Sequence, residues 1–116
     1  MKVIKGDDTV FFDVDDTLIL WHRVPKPNDT VVAVTCFDTT STFVVHQHHV
    51  DLLNYYNELG KTIVVWSQGG WEWAKAVVEA LHLQMAVDAV MTKPTAYVDD
   101  LDCKMWIGAR IYKKIE

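Results

Sequence analysis

The chain has 116 residues, half of them hydrophobic and 23% charged, with a formal net charge of −5. This length supports one domain with a single core, spanning 1–116 and leaving no room for a separate cap, and the composition is that of a globular chain rather than a disordered one. The acidic balance argues against a general binder of nucleic acid or anionic membrane, and the longest apolar runs fall far short of a membrane span.

The N-terminus runs from Met1-Lys2 through a short apolar stretch to Gly6-Asp7-Asp8, without the features of a leader peptide. Cys36 and Cys103 form no spaced framework and read as free buried thiols. A reducing, cytoplasmic setting is the expectation from both observations. Residues 9–14 are apolar and β-branched and predict a strand. It delivers Asp13, Asp15 and Asp16 within four positions. Unpaired carboxylates are costly to bury, so this run belongs at a strand end facing a cation or solvent, and the local acidity suggests a cation site. Val24-Pro25-Lys26-Pro27-Asn28-Asp29 is an irregular connection. Thr30–Val34 and Thr42–Val45 flank the polar Asp38–Ser41 and predict a β-hairpin over about 30–45.

From His48 to Leu59, the residues Leu52, Leu53, Tyr56 and Leu59 recur at helical spacing, and Gly60 supplies a stop. Lys61–Ser67 is the next strand. Gly69-Gly70 opens a second helix with Ala74, Val77, Val78 and Leu81 on one face. Ala86–Met91 predicts a short strand, Ala96–Asp99 another, and Ala109–Tyr112 a possible closing strand of the sheet. Strands alternating with helices indicate an α/β fold with a central, mainly parallel sheet flanked by helices. Ligands bind such sheets at the carboxyl ends of the strands, where Asp13, Ser67 and Asp99 are expected.

These residue types suit phosphoryl transfer. A carboxylate attacks a negatively charged phosphoryl group only when cations neutralise its oxygens and align the partners. Mg²⁺ keeps several waters and needs only one or two carboxylates besides a carbonyl and the phosphate. Asp13 and Asp99 fit the carboxylate ligands. Asp15, two residues beyond Asp13, suits a general acid that protonates the leaving group and later deprotonates water. Ser67, followed by Gln68 and the two glycines, offers a hydroxyl and backbone N–H groups to phosphate oxygens, and Lys93 supplies compact positive charge.

The order of these groups resembles the haloacid dehalogenase superfamily of phosphohydrolases. Its first motif, Asp-x-Asp-x-Thr after an apolar strand, matches Asp13-Val14-Asp15-Asp16-Thr17. Its Ser/Thr matches Ser67, its lysine Lys93, and its acidic pair Asp99-Asp100. The resemblance implies a compact, uncapped Rossmann-like fold with residues 30–45 as the flap, and Mg²⁺-dependent hydrolysis of a phosphomonoester. It also implies Asp13 as nucleophile and Asp15 as acid/base. The metal would be held by Asp13, Asp15 (through its carbonyl) and Asp99, with Asp100 as a further contact. Phosphate would be held by Ser67, Gln68 and Lys93. Asp16 stands where relatives often have glycine, and the separation of Lys93 from Asp99 matches very compact relatives, with no intervening helix.

Other residues have plainer readings. His46, His48 and His49 lack a cysteine or further histidine at zinc-ligand spacing. Asp102 reads as a helix cap, and Trp66 and Trp106 as core. Trp71 and Trp73 start the helix beside the phosphate site, where core packing competes with stacking on a flat leaving group. The expected substrate is a small phosphorylated molecule, a sugar phosphate or a nucleotide, with no membrane partner and a homo-oligomer conceivable through the hairpin. Two rival functions are a phospho-accepting receiver-like signalling domain and a catalytically idle module of the same fold. A receiver carries its acid pair on the first strand and its lysine after the acceptor, an order opposed to the one here.

Overall fold

The computed structural model describes residues 8–115, so the leaderless reading of Met1–Asp7 lies outside the described residues. Six strands and two helices follow in the order β1 (Thr9–Asp13), β2 (Ile19–Leu20), β3 (Val31–Cys36), β4 (Thr39–Val45), α1 (Gln47–Glu58), β5 (Thr62–Ser67), α2 (Trp71–Ala80) and β6 (Ala89–Thr92). They form two sheets. The first is parallel with order β1-β5-β6, and the second is antiparallel with order β2-β4-β3.

Strand β5 runs through the centre of the parallel sheet. Ile63, Val64 and Val65 are consecutive and all buried, so both faces of the strand are covered, as expected of a parallel sheet between helices. Both α1 and α2 pack on β5, and α2 also touches β3 and β6. The predicted α2 face is present, with Ala74, Val77 and Val78 buried and Leu81 packed at the core's edge. Helix α1 carries most of the expected face, with Leu53 in the core and Leu52 and Tyr56 packed against it. Its buried residues are His49, Val50 and Leu53, while Leu59 is exposed at the C-cap. A buried histidine with hydrogen-bond partners on both nitrogens extends that face toward the N-terminal turn.

The hairpin of β3 and β4 is longer and tighter than the sequence suggests. Phe37 and Asp38 form a two-residue turn with φ of 50° and 62°. Positive φ at both central positions matches the twist of paired strands, and it is the geometry for which Asn-Gly is usually preferred. Phe37 adopts it at a steric cost that the pairing on either side offsets. The hairpin does not stand free, because Val34, Phe43, Val44 and Val45 are buried and α2 lies against β3.

Beyond β6 the expectations fail. Residues 96–99 and 109–112 form no strand, and among the described residues after Thr92 the helical structure is one short 3₁₀ turn, Cys103–Met105, capped by Asp102. Val98 is fully exposed at 104%, and Trp106 is 53% exposed rather than core. Three apolar residues, Ala96-Tyr97-Val98, bury too little surface to offset the ordering of a further strand. The cysteines are free but only partly buried.

Candidate active site

The parallel register brings the polar ends of three strands to one edge. Asp13 pairs with Trp66, and Ser67 with Thr92, so Asp13, Ser67 and Lys93 all lie at the carboxyl end of the sheet. The Ser67 carbonyl accepts the Lys93 N–H at 2.9 Å, which ties the segment after β6 to the end of β5. After Asp13 the chain turns sharply. The Val14 carbonyl accepts from the N–H groups of Thr17 and Leu18, and Val14 and Leu18 are both buried. Asp16 occupies this turn with φ of 59°, a left-handed conformation that Asp tolerates and that glycine adopts without penalty. Its carboxylate accepts the Trp21 backbone N–H at 3.1 Å, which offsets part of that strain.

The two catalytic candidates sit in different surroundings. Asp13 accepts a long bond, 3.4 Å, from Thr17 Oγ1. Asp15 is crowded with donors. Its Oδ1 accepts the indole N–H of Trp21 at 2.7 Å and of Trp73 at 3.0 Å, and its Oδ2 accepts from Ser67 Oγ at 3.2 Å. Ser67 is fully buried, and its Oγ also accepts the Gly69 N–H at 3.0 Å. A side chain at Gly69 would press on Ser67 Oγ and on Trp73, each 3.3 Å from its Cβ. Gln68 is exposed in the turn after β5. The Lys93 ammonium lies 5.8 Å from the centre of the Trp66 ring.

Asp15, Trp21, Gly69 and Trp73 line an open cavity of about 290 Å³. Phe43 packs edge-on against both indoles, with centroids 4.7 Å from Trp21 and 5.8 Å from Trp73. The sequence places Trp73 at the start of the helix beside the site and Trp21 just after the catalytic loop, and the structure brings both indoles onto Asp15. Trp71 is exposed, and its backbone N–H donates to Thr92 Oγ1.

Asp99 and Asp100 are not gathered with the other acids. Both are exposed, and Asp99 accepts from the nearby Leu101 N–H at 2.9 Å. Among the described residues, no three His, Cys, Asp or Glu side chains are grouped to hold a metal ion. Like charges repel unless a cation lies between them, and no strand pairing carries residues 96–99 to Asp13. The donor set implied by the family resemblance is thus present only in its first part. Asp13, a hard oxygen ligand with a single weak contact described, fits Mg²⁺, and the acidic pair stands apart.

The C-terminal segment reaches the same turn by another route. Tyr112 Oη donates to the Asp16 carbonyl at 2.9 Å. His46 and His49, 1% and 2% exposed, stack with centroids 3.7 Å apart. The Lys113 N–H donates to His49 Nε2 at 2.9 Å, so His49 is neutral and its Nδ1–H donates to the Thr17 carbonyl at 2.7 Å. His46 Nδ1 faces the His49 N–H at 3.4 Å, leaving Nε2–H to donate to the Lys113 carbonyl at 2.7 Å. Burial is the main cause holding the His49 pKa below its ordinary value, with the neighbouring His46 and His48 adding to it against the Thr17 bond. The histidines therefore serve as a clamp between the tail and the turn after β1.

A family model described as NLI interacting factor-like phosphatase matches residues 8–112. No curated protein matches the chain.

Proposed function

The chain belongs to the NLI interacting factor-like phosphatases, a family of haloacid-dehalogenase-type enzymes that hydrolyse phosphate esters, and we propose that it works through an aspartyl-phosphate on Asp13. The observation that carries this reading is the meeting of Asp13, Asp15 and Ser67 at the carboxyl edge of the parallel sheet. An Asp13 oxygen forms the new bond to phosphorus while the bond to the leaving oxygen breaks. Asp15 gives that oxygen a proton. Asp15 then takes a proton from water as the water attacks phosphorus, the bond to Asp13 breaks, and inorganic phosphate leaves. The Ser67 hydroxyl, the exposed Gln68 and the Lys93 ammonium are the groups proposed to hold the phosphoryl oxygens.

Mg²⁺ is the cofactor of this reading. When bound it would offset the charge on those oxygens, held by Asp13 and the Asp15 carbonyl, with Asp99 and Asp100 recruited from the exposed segment. Mg²⁺ should then protect residues 94–102 from protease in the wild type but not in Asp99→Asn. The substrate is a small phosphorylated molecule. Indole walls at the entrance favour one with a flat ring, such as a nucleotide, over a bare sugar phosphate.

Phosphate release from p-nitrophenyl phosphate tests the core of the proposal. Asp13→Asn should lower kcat by about a thousandfold or more, the loss expected when a covalent nucleophile is removed. EDTA should silence the wild type and Mg²⁺ restore it. Turnover that survives either treatment would falsify the mechanism.

A further inference from the structure

The two indole N–H groups on Asp15 have a chemical consequence. A carboxyl group that donates a proton must carry it on one oxygen, and an N–H aimed at that oxygen competes with the proton for its lone pairs. Oδ1 takes two indole donors, at 2.7 and 3.0 Å, and an indole nitrogen can only donate. Oδ1 is therefore committed as an acceptor. Oδ2 faces the Ser67 hydroxyl, which can turn to donate or to accept as the charge on Asp15 changes.

The indoles are themselves held in place. Trp21 and Trp73 lie 6.1 Å apart between centroids, and Phe43 packs edge-on against both. The Trp21 backbone N–H is fixed by the Asp16 carboxylate. The aim of both N–H groups is thus set by packing on either side of the cavity that Asp15 faces.

We infer that Trp21 and Trp73 are positioning residues that pin Oδ1 of Asp15 and so assign the transferable proton to Oδ2. The inference rests on the role of Asp15 proposed above. Neither tryptophan touches the reacting atoms. Their contribution is to hold the carboxyl group in one orientation through both proton transfers, so that Asp15 need not rotate between them.

The test compares leaving groups. An alkoxide must be protonated as it leaves, whereas p-nitrophenolate departs as a stable anion, so misplacing the acid harms alkyl esters selectively. Trp21→Phe and Trp73→Phe keep an aromatic ring and remove the N–H. In the full chain with Mg²⁺, each should lower kcat for β-glycerophosphate about tenfold, the rate equivalent of one hydrogen bond to a charged group. The kcat for p-nitrophenyl phosphate, whose ring also meets the indole walls, should fall at least about threefold less than that for β-glycerophosphate. The ratio of the two rates cancels any loss of folded enzyme. Trp21 is half-exposed, so Trp21→Phe keeps the test available even where Trp73→Phe unfolds the chain. An equal fall on both esters, or no fall on either, overturns the inference. The parent mechanism fails differently, through an Asp13→Asn variant that keeps its activity.

Discussion

The chain up to Lys93 and the chain after it are built on different principles. In the first region β1 and β5 pair over five residues, β5 is buried on both faces, and α1 and α2 complete a core that includes Leu53, Ile63, Val65 and Val77. In the second, residues 94–115 pair with no strand and are mostly exposed. They are held by few contacts, chiefly Tyr112 on the Asp16 carbonyl and the Lys113 backbone between His46 and His49. The acids at 13 and 15 are positioned by a buried sheet. Those at 99 and 100 ride on a segment whose anchors lie on either side of them. The comparison teaches that a motif's place in the sequence sets its chemistry, while its place in space depends on what the flanking residues can bury.

Truncations should separate the two regions most sharply. Leu53→Ala, in the buried core, should cost about 2–5 kcal/mol, read from denaturant midpoints. Val98→Ala should stay within about 0.5 kcal/mol, because that side chain is fully exposed. Similar costs at both sites would break the distinction.

Acid should loosen the tail before the core. The folded-state pKa of His49 lies below its ordinary value of 6.5, so the unfolded or released chain binds the proton more readily. The stability this histidine contributes is complete above that ordinary value and is lost as pH falls below it toward the folded pKa. A proton on Nε2 removes the acceptor for the Lys113 N–H and places charge against His46, with His48 and the Tyr112 ring also adjacent. Limited proteolysis should cut residues 106–115 progressively faster as pH falls from about 7.5, one unit above the ordinary value, into the acid range. His49→Gln, which does not titrate, should flatten the profile.

Among the tail's anchors, the smallest effect expected is that of Tyr112→Phe. It removes one exposed hydrogen bond to the Asp16 carbonyl and should cost about 0.5–1 kcal/mol by thermal melting, with faster proteolysis of the tail. A variant as stable as the wild type would leave the histidine clamp as the main anchor.

Much of the site could be read before folding. Val10–Asp13 and Ile63–Ser67 declare themselves as strands ending in reactive groups, because apolar β-branched runs have few other stable fates. The α2 face was legible from its period. Trp21 was legible as a neighbour of the catalytic loop, but its bond to Asp15 depends on a ring meeting Trp73 and Phe43 from separate elements. His46 and His49 invited a metal reading and instead grip a backbone 64 to 67 residues away. Asp16 shows both sides at once. Its departure from the family's glycine is visible in the sequence, but only the fold reveals the positive φ and the backbone N–H that compensates it.

By itself the sequence determined the fold class, the candidate acids of the first motif and the membership of a phosphatase family, because these rest on local pattern and on the order of residue types. The tertiary structure decided which oxygens of Asp15 are committed, how the tail is fastened, and that residues 96–99 do not join the sheet. Those outcomes depend on which surfaces meet across long stretches of chain, and no local pattern encodes that.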